Sequence, residues 1–185
     1  MATAGMRGIV VTANGGPEVL EVQDLPRPQL GPDQLLVEVA ASGVNFVDVY
    51  KRQGVYPVPT PFVLGGECAG RVLAVGPEVS EFTVGDVVAT AAADGTHATM
   101  AVIDAQQAVP VPPGVSTELA AAAMLQGMTA HYLVNSAYQV TSGVYVLVHA
   151  AAGGVGRLLV QMAKAKGAHV IGTVGSADKE LVAAT

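Results

Sequence analysis

The strongest chemical signal in the sequence is a glycine-rich stretch, Ala151-Ala152-Gly153-Gly154-Val155-Gly156. Apolar residues typical of a strand come before it, and residues 157–166 have the composition of a helix. The order strand, glycine turn, helix is the context that a dinucleotide-binding fingerprint requires. In such a turn Gly153 lets backbone N–H groups approach a pyrophosphate, and Gly156 lets the helix pack close to the strand. The stretch therefore predicts a dinucleotide site at a helix N-terminus.

The residues at the end of the next predicted strand indicate which dinucleotide is bound. A site that prefers NADH usually has an Asp or Glu about 20 residues after the fingerprint, where it holds the ribose hydroxyls. This sequence has Gly175 and Ser176 there, and Lys179 follows one helical turn later. A small residue, a hydroxyl and a cation suit a 2′-phosphate, so the pattern favours NADPH. The alternative is that Lys179 is an ordinary solvated helix residue.

A second group of polar and aromatic residues lies within one short segment in the first third of the chain. Tyrosine has an apolar ring and a hydroxyl group, so Tyr50 and Tyr56 could line the site of a flat, conjugated substrate. Asn45 and Asp48 fall in the same segment. The structural alternatives are that Asn45 only caps a helix, that Asp48 pairs with Arg52, and that both tyrosines border the core. Composition alone favours these alternatives.

Neither metal chemistry nor nucleophilic catalysis has a clear signal. The candidate ligands are scattered and show no Cys-x-x-Cys or His-x-x-x-His spacing, so no metal site is predicted. The Gly-x-Ser-x-Gly motif does not occur, and the single cysteine has no sequence signal of an activating partner. We expect packing or surface roles for most of the residues concerned, which are Glu67, Cys68, His97, His131 and His149.

The composition limits the class of protein. The 185 residues are 51% apolar and 4% aromatic, so a core of Val, Ala and Leu is expected. One cysteine fits a reducing compartment and allows no internal disulfide. No apolar run has the roughly 18 residues of a membrane span, and no signal peptide is recognised. The net charge of −6 argues against binding of nucleic acid. We therefore predict a cytoplasmic protein with no nucleic-acid or membrane partner.

The first part of the chain reads as short strands separated by Gly and Pro, which suggests a small barrel-like β domain. Asn45 is expected near the N-cap of a short helix at 45–53. The predicted strands are residues 7–12, 19–24, 34–41, 69–75, 86–90 and 96–103.

The second part of the chain predicts one βαβ unit. A helix over 119–138, with Ser116 or Thr117 as its N-cap, comes before it. The unit itself is a strand at 144–149, a helix at 156–166 and a strand at 169–174, and a further helix begins near Ser176. A dinucleotide domain normally has two such halves, and a two-stranded parallel sheet leaves apolar faces uncovered. We therefore expect the chain to be a fragment of a longer protein.

Four motifs occur in the order found in one known family. They are segment 42–48 (Ser-Gly-Val-Asn-Phe-Val-Asp), segment 126–130 (Gln-Gly-Met-Thr-Ala), Ala150–Gly156 and Gly172–Lys179. On these motifs the chain resembles the zinc-independent quinone oxidoreductases, the zeta-crystallin-like branch of the medium-chain dehydrogenase/reductase superfamily. The resemblance implies an α/β fold with an N-terminal GroES-like β-barrel domain, which is catalytic, at residues 1–125. It also implies a partial Rossmann domain, with only its first βαβ unit, at 126–185.

The resemblance further implies a reaction and a set of site residues. NADPH would reduce a quinone, or a related α,β-unsaturated carbonyl, by direct hydride transfer. No metal is expected, because segment 41–48 lacks the Cys, and Gly66 replaces the His, that bind zinc in metal-dependent relatives. By resemblance the catalytic residues are Asn45, Tyr50 and Tyr56. The implied cofactor-binding residues are Asn45, Phe46, Val47, Asp48, Tyr50, Thr129, Tyr132, Gly153, Gly154, Val155, Gly175, Ser176 and Lys179.

The same resemblance bears on partners and on alternative functions. The expected partner is a small-molecule quinone or enone, and a full-length version is expected to be a homodimer. An NADPH-dependent double-bond reductase for enones or enoyl thioesters is one alternative. Others are an inactive truncated product and a non-enzymatic crystallin or RNA-associated protein, although the acidic charge weighs against RNA. Thr96-His97 departs from the family pattern, which usually has a small residue followed by an aromatic one.

Overall fold

The computed structural model describes residues 5–184. The chain separates into two units, Met1–Met124 and Leu125–Thr185. In the described part of the first unit, 3-10 turns occur at Pro17–Val19 and Ala105–Gln107, and helix α1 spans Phe46–Gln53. Its strands are β1 (Met6–Val11), β2 (Leu20–Leu25), β3 (Gln34–Ser42), β4 (Phe62–Val63), β5 (Cys68–Val75), β6 (Val87–Thr90), β7 (Met100–Asp104) and β8 (Val109–Pro110).

Antiparallel pairing joins these strands into two sheets. The smaller sheet has the order β2-β1-β4, and the larger has the order β7-β3-β5-β6-β8. Alternation along β3 places Leu35 and Val37 on one face, where they pack in a buried cluster with Val72 of β5 and Ile103 of β7. This apolar layer favours the observed register of the larger sheet, because a shift of one residue along β3 would bring a polar residue, Gln34 or Glu38, into the layer.

The register of β3 against β5 determines where the polar segment lies. Ser42, the last residue of β3, is opposite Cys68, the first residue of β5. The Gly43 N–H donates to the Glu67 carbonyl at 3.1 Å, which continues the pairing beyond the strands. Helix α1 begins directly afterwards, with Asn45 as its N-cap. The end of β3, the start of β5 and the start of α1 therefore meet at one place.

The second unit contains the predicted βαβ arrangement. Helix α2 (Thr117–Tyr132) begins in the first unit and continues into the second, where a π-helical turn, Leu133–Ala137, follows it. The remaining elements are β9 (Tyr145–Val148), α3 (Gly154–Ala165), β10 (His169–Gly172) and α4 (Ala177–Ala184). β9 and β10 pair in parallel.

The parallel pair β9–β10 is apolar on both faces. One face, which includes Val146 and Val170, packs in a core cluster with Ala163 of α3. The opposite face carries Leu147 and Ile171, which are more than half exposed. The strand–helix–strand prediction is thus confirmed, and only one side of the strand pair is covered within the described residues.

Several predicted boundaries are wrong. β7 begins at Met100 rather than at residue 96, and α3 begins at Gly154 rather than at Gly156. The α-helical part of α2 ends at Tyr132, six residues early; in the π-helical turn that follows, Asn135 Nδ2 donates to the carbonyl of His131 at 2.9 Å. The two-residue strands β4 and β8 were not predicted. Among residues 5–184, no helix has both the length and the apolar character needed to cross a membrane.

Candidate functional site

The glycine-rich stretch forms a tight turn between β9 and α3. Ala150 has a positive φ of 51°, and its carbonyl accepts a hydrogen bond from the Gly153 N–H at 2.8 Å. Gly153 is the N-cap of α3. A Cβ at Gly156 would overlap the Ala150 carbonyl oxygen and would lie 2.9 Å from Ala151 Cα. Glycine at position 156 therefore allows the first turn of α3 to lie directly against the backbone of the turn, as the sequence predicted.

The side chain of Gln126, in α2, lies over the same helix N-terminus. A Cβ at Gly154 would overlap the Gln126 carboxamide and would lie 2.8 Å from its Nε2. Thr129 is three residues after Gln126, so both side chains share one face of α2. The Thr129 hydroxyl donates to the Leu125 carbonyl at 2.7 Å, and Tyr132, one further turn along, is 58% exposed. Gln126 is therefore a further residue beside the glycine turn, and no residue spacing in the sequence identifies it.

The end of β10 is hydrogen-bonded to the end of β9 through Thr173. The Thr173 N–H donates to the Val148 carbonyl, and the Ala151 N–H donates to the Thr173 carbonyl, both at 2.9 Å. The Thr173 hydroxyl is 2.9 Å from His149 Nδ1, so His149 helps to join the two strand ends. A Cβ at Gly172 would lie only 2.8 Å from Ala151 Cβ. β10 therefore ends beside the glycine turn.

The three residues predicted to select NADPH follow this junction. Gly175 has no atom within 4 Å of the position a Cβ would take. The Ser176 carbonyl accepts from the Lys179 N–H at 3.2 Å, and Lys179 lies in the first turn of α4 with an exposed side chain. A cation and a hydroxyl are thus close together along the chain, just past the carboxyl end of a parallel strand. That end is where open α/β sheets bind ligands.

In the first unit, Asn45 is the centre of a buried polar group. Its backbone N–H donates to Asp48 Oδ2 at 2.8 Å, and the Asp48 N–H donates to the Asn45 carbonyl at 3.0 Å. Its side-chain Nδ2 donates to Glu67 Oε2 at 2.7 Å. We call Gly43, Asn45, Asp48 and Glu67 the Asn45 cluster. Asn45 caps α1 as predicted, and it also connects α1 to the residue that precedes β5.

Asp48 is 2% exposed, yet only one of its two carboxylate oxygens, Oδ2, has a hydrogen-bond partner among the described residues. Its Oδ1 is buried and has no hydrogen-bond partner among the described residues. The predicted alternative, an ion pair between Asp48 and Arg52, is wrong, because Arg52 Nε donates instead to the Gly15 carbonyl at 3.1 Å. An unpartnered buried carboxylate oxygen is costly, so it points to a donor supplied from elsewhere, such as a ligand or water.

Glu67 is a site residue that the sequence analysis missed. It is 1% exposed, and its backbone carbonyl accepts hydrogen bonds from Ser42 Oγ at 2.8 Å and Thr96 Oγ1 at 3.1 Å. His97 Nε2 lies 3.0 Å from the Gly43 carbonyl, which can only accept, so Nε2 carries the proton. No spacing rule identifies Glu67, because its contacts depend on the pairing of β3 with β5.

The aromatic residues of this segment form an exposed surface on and after α1. Phe46 and Tyr50 have ring centroids 6.2 Å apart, and Tyr50 and Tyr56 are 5.4 Å apart in an edge-to-face arrangement. Their exposed fractions are 77%, 38% and 51%. Exposed rings with hydroxyl groups can stack on a flat ligand and also donate hydrogen bonds to it.

Cys68 is not suited to nucleophilic chemistry. Burial, assisted by the nearby charge of Glu67, raises the pKa of the Cys68 thiol to about 12, so the thiol is protonated at neutral pH. Within residues 5–184, no group of three or more His, Cys, Asp or Glu side chains is arranged to hold a metal ion.

Comparison with known proteins places these features in context. Residues 31–143 match the model of the alcohol dehydrogenase GroES-like domain. A quinone oxidoreductase of Pseudomonas aeruginosa is 46% identical over 177 residues, which are 95% of this chain and 54% of that protein. A mycobacterial protein solved in complex with NADPH superposes with a TM-score of 0.93 at 47% identity, over 97% of this chain and 56% of that one.

A second solved structure gives the same result. Escherichia coli quinone oxidoreductase in complex with NADPH superposes with a TM-score of 0.94 at 40% identity. The match covers 96% of this chain and 55% of that chain. The chain therefore spans about half the length of the relatives that it matches.

Proposed function

The chain belongs to the family of the alcohol dehydrogenase GroES-like domain, within the medium-chain dehydrogenase/reductase superfamily, and we propose that it is part of an NADPH-dependent quinone oxidoreductase. The family and the α/β fold with a GroES-like domain and a partial Rossmann portion, both predicted from sequence motifs, are confirmed. The observation that carries the functional proposal is the turn at Gly153–Gly156. Its glycine at position 156 brings the N-terminus of a 12-residue helix against the end of a parallel strand.

The residues of the second unit fit the phosphate groups of NADPH. Backbone N–H groups in the first turn of a helix lack partners within the helix, and in α3 they belong to a segment that begins with Gly154 and Val155. We assign the pyrophosphate to Gly153, Gly154 and Val155, and the 2′-phosphate to Gly175, Ser176 and Lys179. Thr129 and Tyr132 are assigned to the cofactor because they lie on α2 beyond Gln126, whose side chain covers Gly154.

We assign the reacting groups to the first unit. When bound, NADPH supplies a hydride that passes directly to the substrate. Asn45 orients the cofactor through its carboxamide, and the buried Asp48 Oδ1 accepts a hydrogen bond from the ligand or from a water bound with it. Phe46 and Val47 line the cofactor. Tyr50 and Tyr56 present ring edges and hydroxyl groups to a flat quinone.

The finer parts of the proposal concern the metal, the compartment and the partners. We propose hydride transfer without zinc, since segment 41–48 contains no Cys and Gly66 stands where metal-dependent relatives have a His. A single buried cysteine supports a reducing, cytoplasmic setting. The net charge of −6 supports a small-molecule partner rather than nucleic acid. A homodimer is proposed for a version of the protein as long as its relatives.

The test combines a binding measurement with a turnover measurement. Fluorescence titration of the 185-residue chain with NADPH and NADH should show saturable binding that is tighter for NADPH. NADPH oxidation should then be followed with simple quinones and, separately, with enones and enoyl thioesters. Failure of the 185-residue chain to bind NADPH would support the alternative of an inactive truncated product, and failure of a version as long as the relatives would contradict the cofactor assignment. Turnover of enones without turnover of quinones would instead establish the double-bond reductase alternative.

A further inference from the structure

We propose that Glu67 is the positioning residue of the Asn45 cluster, because its buried carboxylate sets the orientation of the Asn45 carboxamide. The proposal rests on the proposed function, in which Asn45 orients the cofactor, and it adds a residue that need not touch any ligand. Glu67 precedes β5 and is 1% exposed, whereas Asn45 caps α1. A side-chain hydrogen bond of 2.7 Å, from Asn45 Nδ2 to Glu67 Oε2, joins the two segments.

The chemistry of this bond determines which way the amide faces. Glu67 Oε2 accepts this bond, so the nitrogen of the Asn45 amide, and not its oxygen, faces Glu67. The Asn45 backbone is held as well, since its N–H donates to Asp48 Oδ2 at 2.8 Å. Carboxylates on two different elements therefore hold the backbone and the side chain of Asn45 at the same time.

The position of the Glu67 carboxylate is equally constrained. A Cβ at Gly43 would overlap Glu67 Oε2 and would lie 2.6 Å from its Cδ, so the carboxylate lies directly against the Gly43 backbone. The Glu67 backbone is held by hydrogen bonds to its carbonyl from Ser42 Oγ and Thr96 Oγ1. Glycine at position 43 therefore leaves the space in which the Glu67 carboxylate lies when it contacts Asn45.

Two substitutions should break the contact between Glu67 and Asn45 in different ways. Glu67→Met removes the acceptor but fills a similar volume, and Gly43→Ala keeps the carboxylate but displaces it. Glu67→Gln keeps an acceptor oxygen and serves as the conservative rescue. The matched control is Gly66→Ala, whose Cβ would meet the Ala93 carbonyl oxygen at an ordinary 3.5 Å.

The first measurement needs no ligand. In the free 185-residue chain, the ¹⁵N–¹H resonances of the Asn45 side-chain amide should move in Glu67→Met and Gly43→Ala and stay in place in Gly66→Ala. In turnover assays with NADPH and a quinone, the first two variants should lose kcat on the order of 10- to 100-fold, because the reacting groups are misplaced. KM should stay within about twofold, and Glu67→Gln should recover most of kcat.

Two results would overturn the positioning role. One is an unchanged Asn45 amide signal in both disrupting variants. The other is a signal that moves while kcat equals that of the unaltered chain. Should one disrupting variant fail to fold by circular dichroism, the other decides, because one removes the Glu67 carboxylate and the other displaces it. A lack of quinone turnover both in the unaltered chain and in a version as long as the relatives would contradict the proposed function, while the amide signal would still decide whether Glu67 orients Asn45.

Discussion

Replacing Gly156 by alanine should loosen the glycine turn and weaken NADPH binding. The added Cβ would overlap the Ala150 carbonyl oxygen and would lie 2.9 Å from Ala151 Cα. Both atoms belong to the backbone, so no side-chain rotation can relieve the conflict. Helix α3 must therefore move away from the turn, and the N–H groups of its first turn move with it.

The magnitude can be compared with that of an identical substitution elsewhere. Overpacking of this kind costs about 1–3 kcal/mol, and alanine recovers up to about 1 kcal/mol of helix propensity, so Gly156→Ala should destabilise by about 1–2 kcal/mol. Gly127 lies within α2, and a Cβ there meets nothing within 4 Å. Gly127→Ala should therefore stabilise by about 0.5–1 kcal/mol, and the two variants should differ by about 1.5–3 kcal/mol.

The assay is urea unfolding of the two variants and the unaltered chain, with hydrogen exchange of residues 145–172 to locate the effect. Gly156→Ala should increase exchange in that region and raise the dissociation constant for NADPH by about tenfold or more, while Gly127→Ala should do neither. Equal stability of the two variants would refute the reasoning, since it would mean that the first turn of α3 can pack against the glycine turn even when residue 156 has a Cβ.

Three further predictions concern pH, capping and cofactor choice. Burial raises the pKa of the Cys68 thiol to about 12 from 9.0, so folding stability should be intact below pH 9 and fall towards pH 12, by about 1.4 kcal/mol at pH 10. Cys68→Ala should remove that fall in urea titrations at pH 8 and pH 10; the same fall in the variant would assign it to other groups. Ser116 Oγ accepts from the Leu119 N–H at 3.2 Å, so Ser116→Ala should cost about 1 kcal/mol and Ser116→Asp almost nothing in thermal unfolding. Lys179→Ala should weaken NADPH binding about tenfold and leave NADH binding unchanged in fluorescence titrations, and equal losses for both would exclude contact with the 2′-phosphate.

The sequence patterns correctly predicted the helix caps and the glycine turn, which depend on interactions between residues close together in the sequence. Asn45 caps α1 and Ser116 caps the start of α2, as their residue types and positions indicate. The strand–turn–helix order around Gly153 and the need for glycine at 156 were also correct, because a chain reversal and a close approach depend on neighbours in sequence. These predictions needed no knowledge of which strands pair.

The predictions failed for features that depend on contacts between residues far apart in the sequence. Glu67 contacts Asn45 only because Ser42 pairs with Cys68, and that register depends on the apolar layer of the larger sheet. Strand β4 consists of two residues that pair with β1, and two residues are too few for a periodic pattern to be recognised. Helix α2 changes to a π-helical turn at residue 133, although helical propensity continues to residue 138, and Val134 in that turn belongs to the buried core of the second unit.

The contact between Gly43 and Glu67 also has a consequence for how sequence variation in this protein should be interpreted. Because the carboxylate of Glu67 fills the space that a Cβ at position 43 would need, the residues accepted at one position depend on the residue at the other. An alanine at 43 should be accepted only where residue 67 is shorter, and in that background restoring glutamate should become harmful. A mutational scan that changes one residue at a time would score Gly43→Ala as harmful, whereas a scan of residue pairs should show that its effect depends on the residue at position 67.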